Sequence, residues 1–139
     1  MIDKKIGSID SYPFKHIFST RWIDQDAFRH INNAVFLSYF EDARINFFKR
    51  WNIDYGSKSL VIASVKVDYL RQVEHPSDLL IGQKISRIGT KSFDVEAVIF
   101  NKDKPCCISM VTIVCYDFIN KKSIRIFNDI IDDFNRFNE

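Results

Sequence analysis

The chain has 139 residues, of which 46% are hydrophobic and 27% are charged, and these proportions predict one globular domain over residues 1–139. Lys and Arg number 20 against 18 Asp and Glu, so the net charge of +2 gives no electrostatic reason to expect a nucleic acid or an anionic membrane as partner. Length and charge therefore exclude a two-domain enzyme and a protein that binds nucleic acid through bulk positive charge.

The distribution of apolar residues and cysteines indicates the cellular compartment of the protein. No apolar run is long enough to span a membrane, and the first residues lack the apolar core of a signal peptide. Cys106, Cys107 and Cys115 are an odd number and lie in one apolar stretch, which favours reduced core thiols over disulfides. We therefore expect a cytoplasmic protein. Neither C-x-x-C nor a spaced histidine pair occurs, so we expect no metal site.

The first two predicted elements are a strand and a long helix. Residues 14–23 mix aromatic and β-branched side chains before an acidic loop, which predicts a strand. From Asn33 to about Trp51, apolar side chains recur at helical spacing over several turns. The apolar face of this helix is too wide for one packing partner, so we expect a sheet curled around it.

Four more strands and a second helix follow. Residues 60–69 alternate between apolar and polar side chains, and residues 79–88 and 92–100 flank a short turn that contains a glycine. A second turn precedes the apolar run at residues 106–118, and residues 127–137 form an amphipathic helix that packs on the domain or on a neighbour. Because the connections are short, the last strands form an antiparallel meander. The predicted fold class is α+β.

The segment from Arg21 to Arg44, RWIDQDAFRHINNAVFLSYFEDAR, carries the strongest functional signal. It resembles the signature of hotdog-fold acyl-CoA thioesterases of the 4-hydroxybenzoyl-CoA thioesterase type, and VKVDYLR and RIGTKSF resemble that family's later strands. The resemblance implies a hotdog fold, with an antiparallel sheet of about five strands around one central helix. It also implies hydrolysis of an acyl-CoA or acyl-carrier-protein thioester, with coenzyme A as part of the substrate and no other cofactor.

Thioester hydrolysis needs a carboxylate near the acyl carbonyl and hydrogen-bond donors where the oxyanion develops. By resemblance, Asp26 is the catalytic base or nucleophile, and the backbone N–H of Asn33 at the helix start is the oxyanion donor. His30 either orients the substrate carbonyl or holds the loop. We expect Asp24 to support the loop and Asn32 to cap the helix.

Arg29 departs from the family pattern, which has glycine before the histidine. A residue with a Cβ must therefore make the turn that glycine makes at little cost. If only the loop differs locally, Arg29→Gly leaves turnover nearly unchanged. Alternatively, the guanidinium reaches a carboxylate or a phosphate of the substrate, and its loss then reduces turnover by about a hundredfold.

The resemblance also implies where coenzyme A and other subunits bind. Thr90, Lys91 and Ser92 match a hairpin that meets the nucleotide, often from a neighbouring subunit, and Arg125 belongs to a second basic cluster; both clusters are also explained as ordinary solvated turns. A dimer or tetramer is expected, with sheets joined edge to edge. We expect Glu41 and Arg44 to form an ion pair at that interface.

Two alternative functions are compatible with the same residues. One is another hotdog activity, such as that of an enoyl-thioester hydratase, although we find no second carboxylate–histidine pair in a matching context. The other is a protein that binds acyl-CoA without turnover. In each case, we expect Phe28, Phe36 and Tyr69 to set the acyl specificity through their packing across subunits.

Overall fold

The computed structural model describes residues 6–138, which form an antiparallel sheet and two α-helices. The sheet contains five strands of six residues or more and a sixth of two residues within this range. The elements are β1 (Phe14–Ser19), α1 (Asn33–Phe48), β2 (Ser59–Tyr69), β3 (Asp78–Ile88), β4 (Ser92–Asn101), β5 (Lys104–Asp117), β6 (Lys122–Ser123) and α2 (Asn128–Phe137).

The strand order is β1-β3-β4-β5-β2, and β6 pairs with the end of β5. Every pairing is antiparallel. The expected meander is confirmed for β3, β4 and β5. Strand β2 instead crosses to the far side of β5, so β1 and β2 form the two edges of the sheet.

Helix α1 lies on the concave side of the sheet, as the sequence predicts. Its side chains Phe36, Phe40, Ala43 and Phe47 are buried against the inner faces of the strands. Burial of a large apolar side chain stabilises the fold by roughly 1.5–3 kcal/mol relative to its exposure. The helix ends at Phe48 and continues as a single 3-10 turn to Trp51, which is fully buried.

The C-terminal helix α2 packs on the domain through the fully buried Ile130 and through the carboxylate of Asp133. Asp133 accepts a hydrogen bond from the indole N–H of Trp51 at 2.7 Å and two from the guanidinium of Arg50, both at 2.9 Å. The ring of Phe137 meets that of Phe14 edge to face, with 4.8 Å between the centroids. The expectation that the terminal helix packs on the domain is confirmed.

A short N-terminal segment covers part of the convex face of the sheet. Tyr12 is fully buried there, and its hydroxyl donates to the carboxylate of Glu96 at 2.6 Å. The strand residue beneath it is Gly82, where a Cβ would lie only 2.7 Å from the Tyr12 side chain. The absence of a side chain at this position therefore allows the segment to lie flat on the sheet.

The first strand is shorter than the sequence predicts. Strand β1 ends at Ser19, and residues 22–24 form a 3-10 turn. The prediction was wrong for residues 20–23 because Arg21 turns its backbone N–H and its guanidinium toward Asp24 instead of continuing the ladder.

Cys106, Cys107 and Cys115 are free and buried. Burial raises the pKa of the Cys107 thiol to about 12. Within residues 6–138, neither helix has the length and the apolar composition that a bilayer crossing requires.

Candidate active site

The loop between β1 and α1 is closed by the carboxylate of Asp26. Its Oδ1 accepts the backbone N–H groups of Phe28 at 2.9 Å and of His30 at 3.3 Å. The backbone N–H of Asp26 donates to the carbonyl oxygen of His30 at 2.9 Å. Oδ2 receives no hydrogen bond from any residue in the described range, so one oxygen holds the loop and the other is available for chemistry.

Arg29 occupies the left-handed backbone conformation, with φ at 62°. This conformation costs an L-residue with a Cβ roughly 1–2 kcal/mol, and glycine avoids the cost. The Arg29 N–H closes the turn on the carbonyl oxygen of Asp26 at 3.1 Å. The loop therefore keeps a turn of the kind that glycine favours, with arginine in its place.

The first turn of α1 leaves one backbone donor open. The side-chain oxygen of Asn32 accepts the N–H of Ala34 at 2.9 Å, and its carbonyl oxygen accepts the N–H of Val35 at 2.9 Å. Asn32 thus caps the helix as predicted. The N–H of Asn33 has no acceptor among residues 6–138, and it lies at the positive end of the helix dipole.

Asp24 links the loop to helix α1 through its carboxylate and its backbone carbonyl oxygen. It is 1% exposed, and its carboxylate accepts hydrogen bonds from the backbone and guanidinium of Arg21 and from the hydroxyl of Tyr39, the last at 2.6 Å. Its carbonyl oxygen accepts the N–H of Asn32 at 2.9 Å. Burial alone raises the pKa of Asp24, but the hydrogen bonds from Arg21 and Tyr39 outweigh it and hold the pKa below its usual value. The expected supporting role is confirmed.

The imidazole of His30 lies near Glu74. Its Nε2 lies 3.9 Å from Oε1 of Glu74, beyond hydrogen-bond distance, and the two residues form an isolated backbone bridge. The sequence suggests one helical turn between Asp26 and His30, whereas the segment is a tight non-helical loop. The hydrogen bond between the two residues is donated by the backbone N–H of His30.

Asp26, His30 and Asn33 meet at one cavity of about 530 Å³, which we call the reaction cavity. Phe28, Phe36 and Tyr69 line it too. Sequence reasoning missed two polar side chains in its wall, Arg71 and Gln72, and the remaining lining residues are Ile31, Asn32 and Leu70. The sequence indicates only that residues 69–71 resemble the end of a family strand. Their place in the cavity wall depends on β2 lying at the edge of the sheet beside β5.

A second concavity lies on the other side of Asp26, with a volume of about 540 Å³. We call it the outer cavity. Trp22, Ile23, Gln25 and Arg29 line it together with Asp26. The carboxylate that closes the loop therefore borders two cavities.

The candidate coenzyme A residues lie at the opposite end of the same chain. The β3–β4 hairpin with Thr90, Lys91 and Ser92 is joined to the segment of Arg125, since the N–H of Ile126 donates to the carbonyl oxygen of Thr90 at 2.9 Å. The structure thus brings the two basic clusters together. They lie next to the C-terminal end of α1, whereas Asp26 lies near its N-terminal end. A helix of 16 residues is about 24 Å long, which separates these clusters from Asp26 within one chain.

Comparisons with known proteins agree with this architecture. A family model described as the thioesterase-like superfamily matches residues 20–134. The chain is 36% identical over 107 residues to the uncharacterized protein YsmA of Bacillus subtilis, an alignment that covers 75% of this chain and 73% of that protein.

Two solved structures share the fold. A thioesterase from Thermus thermophilus complexed with coenzyme A and Zn is 26% identical, with a TM-score of 0.81 over 92% of this chain and 96% of that one. A predicted thioesterase from Bacillus stearothermophilus is 25% identical, with a TM-score of 0.81 over 89% and 95% of the two chains. These matches confirm the hotdog fold, and the family match over most of the chain shows that it belongs to the thioesterase-like superfamily.

Proposed function

We propose that the protein is an acyl-CoA thioesterase of the 4-hydroxybenzoyl-CoA thioesterase type, which hydrolyses a short-chain, medium-chain or aromatic acyl thioester to the free acid and coenzyme A. The observation that carries the proposal is the pairing of an available carboxylate oxygen on Asp26 with the open N–H of Asn33 at one cavity. Membership of the superfamily supports it, as does the coenzyme A bound to the Thermus thermophilus relative.

In the proposed reaction the thioester carbonyl oxygen lies at the N–H of Asn33. Asp26 takes a proton from a water molecule, whose oxygen bonds to the carbonyl carbon. The negative charge on the tetrahedral intermediate is stabilised by the Asn33 N–H, and loss of one such donor costs enzymes about 3 kcal/mol of barrier. The C–S bond then breaks, and the thiolate of coenzyme A leaves and takes up a proton. If Asp26 instead attacks the carbonyl directly, water hydrolyses the resulting anhydride.

We assign His30 to positioning. Its backbone N–H donates to Oδ1 of Asp26, and the residue lines the reaction cavity. Of the two roles that the resemblance leaves open, the hydrogen bond to Asp26 supports holding the loop, and we propose that His30 also orients the substrate carbonyl.

We propose further that two chains associate through the free edge of β2. This strand exposes Ile62 and Val65, and the neighbouring face of α1 exposes Leu37. Glu41 and Arg44 line the gap of about 310 Å³ between α1 and β2, where the predicted interface ion pair would form. An uncovered edge of this length pairs readily with another strand.

Antiparallel pairing of two β2 strands would bring the opposite ends of the two sheets together. The β3–β4 hairpin of one subunit would then be about three strand spacings, or roughly 15 Å, from Tyr69 of the other. This arrangement supports binding of coenzyme A phosphates by Thr90, Lys91, Ser92 and Arg125 across the interface. Within one chain, the length of α1 separates the same residues from Asp26.

The test is hydrolysis of short, medium, long and aromatic acyl-CoA thioesters, followed by the loss of thioester absorbance. Asp26→Asn is the informative variant, because the amide keeps an oxygen that accepts the Phe28 N–H while the negative charge is lost. We expect its kcat/KM to fall by about a hundredfold or more. Asp132→Asn, which makes the same change on an exposed part of α2, is the matched control.

Two results would contradict the proposal. Full activity in a folded Asp26→Asn variant would show that Asp26 is not the catalytic carboxylate. Binding of acyl-CoA by a wild-type protein that hydrolyses none of the panel would indicate a non-catalytic acyl-CoA-binding protein instead.

A further inference from the structure

Arg29 has no structural task that requires its side chain. Its guanidinium makes no hydrogen bond, ion pair or ring contact with residues 6–138. The backbone of Arg29 is in the conformation that glycine adopts without strain, so the loop would be easier to form with glycine at this position. A strained residue whose side chain has no polar or ring partner among residues 6–138 is a candidate for binding a ligand.

Arg29 borders the outer cavity together with Asp26. Trp22 and Ile23 supply the apolar wall of that cavity, and both are 79% exposed. The cavity also holds the Asp26 carboxylate, but the Arg29 guanidinium is not paired with it. Large apolar side chains beside this unpaired cation match a ligand with a short hydrocarbon body and an anionic end.

The two cavities suggest how the proposed substrate is oriented around Asp26. The thioester carbonyl belongs in the reaction cavity, where the Asn33 N–H is open. The phosphates of coenzyme A are proposed above to lie across the free edge of β2, beside Tyr69, so its thiol-bearing arm enters the reaction cavity past Tyr69. The outer cavity, which also borders Asp26, is then left for the acyl group.

We propose that the acyl group occupies the outer cavity and carries a carboxylate that binds Arg29. The protein then prefers monothioesters of dicarboxylic acids over neutral thioesters of equal length. The guanidinium presents paired N–H donors that match a carboxylate, so the contact gives both charge and geometry. The inference rests on the proposed thioesterase function and adds the chemical class of its acyl group.

The experiment compares glutaryl-CoA with pentanoyl-CoA, which have the same acyl chain length and differ by the terminal carboxylate. We expect wild-type kcat/KM to be about tenfold or more higher for glutaryl-CoA, as one charge-assisted contact would give. Arg29→Gln keeps the Cβ and a polar side chain but removes the charge, and it should bring the ratio of the two kcat/KM values close to one, mainly through KM for glutaryl-CoA. Arg136→Gln, on α2, is the matched control and should keep the wild-type ratio.

Each other outcome overturns the inference in a distinct way. If wild-type kcat/KM is nearly equal for the two thioesters and turnover depends on Asp26, the thioesterase function stands and the preference for an anionic acyl group is wrong. Equal losses for both thioesters in Arg29→Gln place the guanidinium on a phosphate of coenzyme A. Loss of the ratio in Arg71→Gln but not in Arg29→Gln moves the acyl carboxylate to the reaction cavity.

A binding measurement separates this inference from the function on which it rests. Calorimetry with the Asp26→Asn protein gives the affinities of glutaryl-CoA and pentanoyl-CoA without turnover. Tighter binding of glutaryl-CoA that is lost when Arg29→Gln is added supports the inference even if no thioester is hydrolysed. Equal affinities overturn it.

Discussion

The hydroxyl of Tyr69 donates a hydrogen bond to the backbone carbonyl oxygen of Asn33 at 2.8 Å. This bond joins the end of edge strand β2 to the first residue of α1. The Tyr69 ring also packs edge to face on Phe36, with 5.8 Å between the centroids. The position of the proposed oxyanion donor therefore depends on a side chain from a different element.

Tyr69→Phe should lower kcat and leave KM nearly unchanged. The variant keeps the ring and its contact with Phe36, and it removes one hydrogen bond of about 1 kcal/mol, which corresponds to about a fivefold loss of rate if the helix start shifts in the transition state. Steady-state kinetics with the preferred acyl-CoA gives both constants. Tyr116→Phe on β5 is the control. A rise in KM at constant kcat would instead place the hydroxyl in contact with the substrate.

Asp24 should make the fold sensitive to acid. Its pKa is lower in the folded chain than the ordinary value of 3.8, so its contribution to stability is complete above that value and is lost as the pH falls through the folded pKa. Urea unfolding of the wild type should show this loss below about pH 4, and Asp24→Asn should be less stable near neutral pH with a shallower acid dependence. Asp132→Asn, with an exposed carboxylate, should keep the wild-type slope.

The backbone of Arg29 predicts a gain in stability from glycine. Arg29→Gly should have a free energy of unfolding about 1 kcal/mol higher than that of Arg29→Ala, because both lose the side chain and only glycine adopts a φ of 62° without strain. Denaturant unfolding of the two variants measures the difference. Equal stabilities would show that the loop relaxes around alanine.

The sequence predicted the elements that depend on local pattern. The helix start at Asn33, its cap by Asn32 and the β3–β4 hairpin follow from side-chain chemistry and spacing, and all three are present. The loop role of Asp24 was also predicted, although its partner Tyr39 was not, since that hydrogen bond links residues 15 apart in sequence.

Long-range packing limited the rest of the prediction. Pairing of β2 with β5 places Tyr69, Arg71 and Gln72 beside the start of α1, and nothing in the local pattern of β2 specifies its neighbour in the sheet. The separation of Lys91 from Asp26 within one chain likewise depends on the orientation of α1 across the sheet.

Asp133 should matter for stability and not for catalysis. Asp133→Ala removes the acceptor for Trp51 and Arg50, and the loss of a buried, charged acceptor should cost about 3 kcal/mol of unfolding free energy. The site at the other end of α1 should keep its kcat as long as the protein is folded. Asp132→Ala is the matched control, with an exposed neighbouring carboxylate on the same helix. A loss of kcat in folded Asp133→Ala would reveal coupling along α1.

The proposed dimer predicts different behaviour at the two edges of the sheet. Val65→Lys on β2 should give monomers in sedimentation equilibrium, because a charge would replace a 48% exposed apolar side chain at the interface. Ile17→Lys on the other edge, β1, should leave the assembly unchanged although Ile17 is 74% exposed. Dissociation by Ile17→Lys alone would assign the interface to β1.

If the partner's hairpin binds the nucleotide, Lys91→Ala should raise KM for acyl-CoA and leave KM for the matching acyl-pantetheine unchanged. The difference arises because acyl-pantetheine lacks the phosphates. We expect a rise of about tenfold for one charge-assisted contact. Equal KM values for acyl-CoA in wild type and variant would show that Lys91 is a solvated residue that does not contact the nucleotide.

The close approach of Tyr12 to Gly82 has a consequence for higher assembly. Because the N-terminal segment occupies the convex surface at that point, another copy cannot stack face to face on the sheet there without displacing it. Alanine at position 82 would lift the segment and uncover Val98 and Ile108 beneath it. A residue with no side chain thus helps to determine which surfaces of the molecule remain available for larger oligomers.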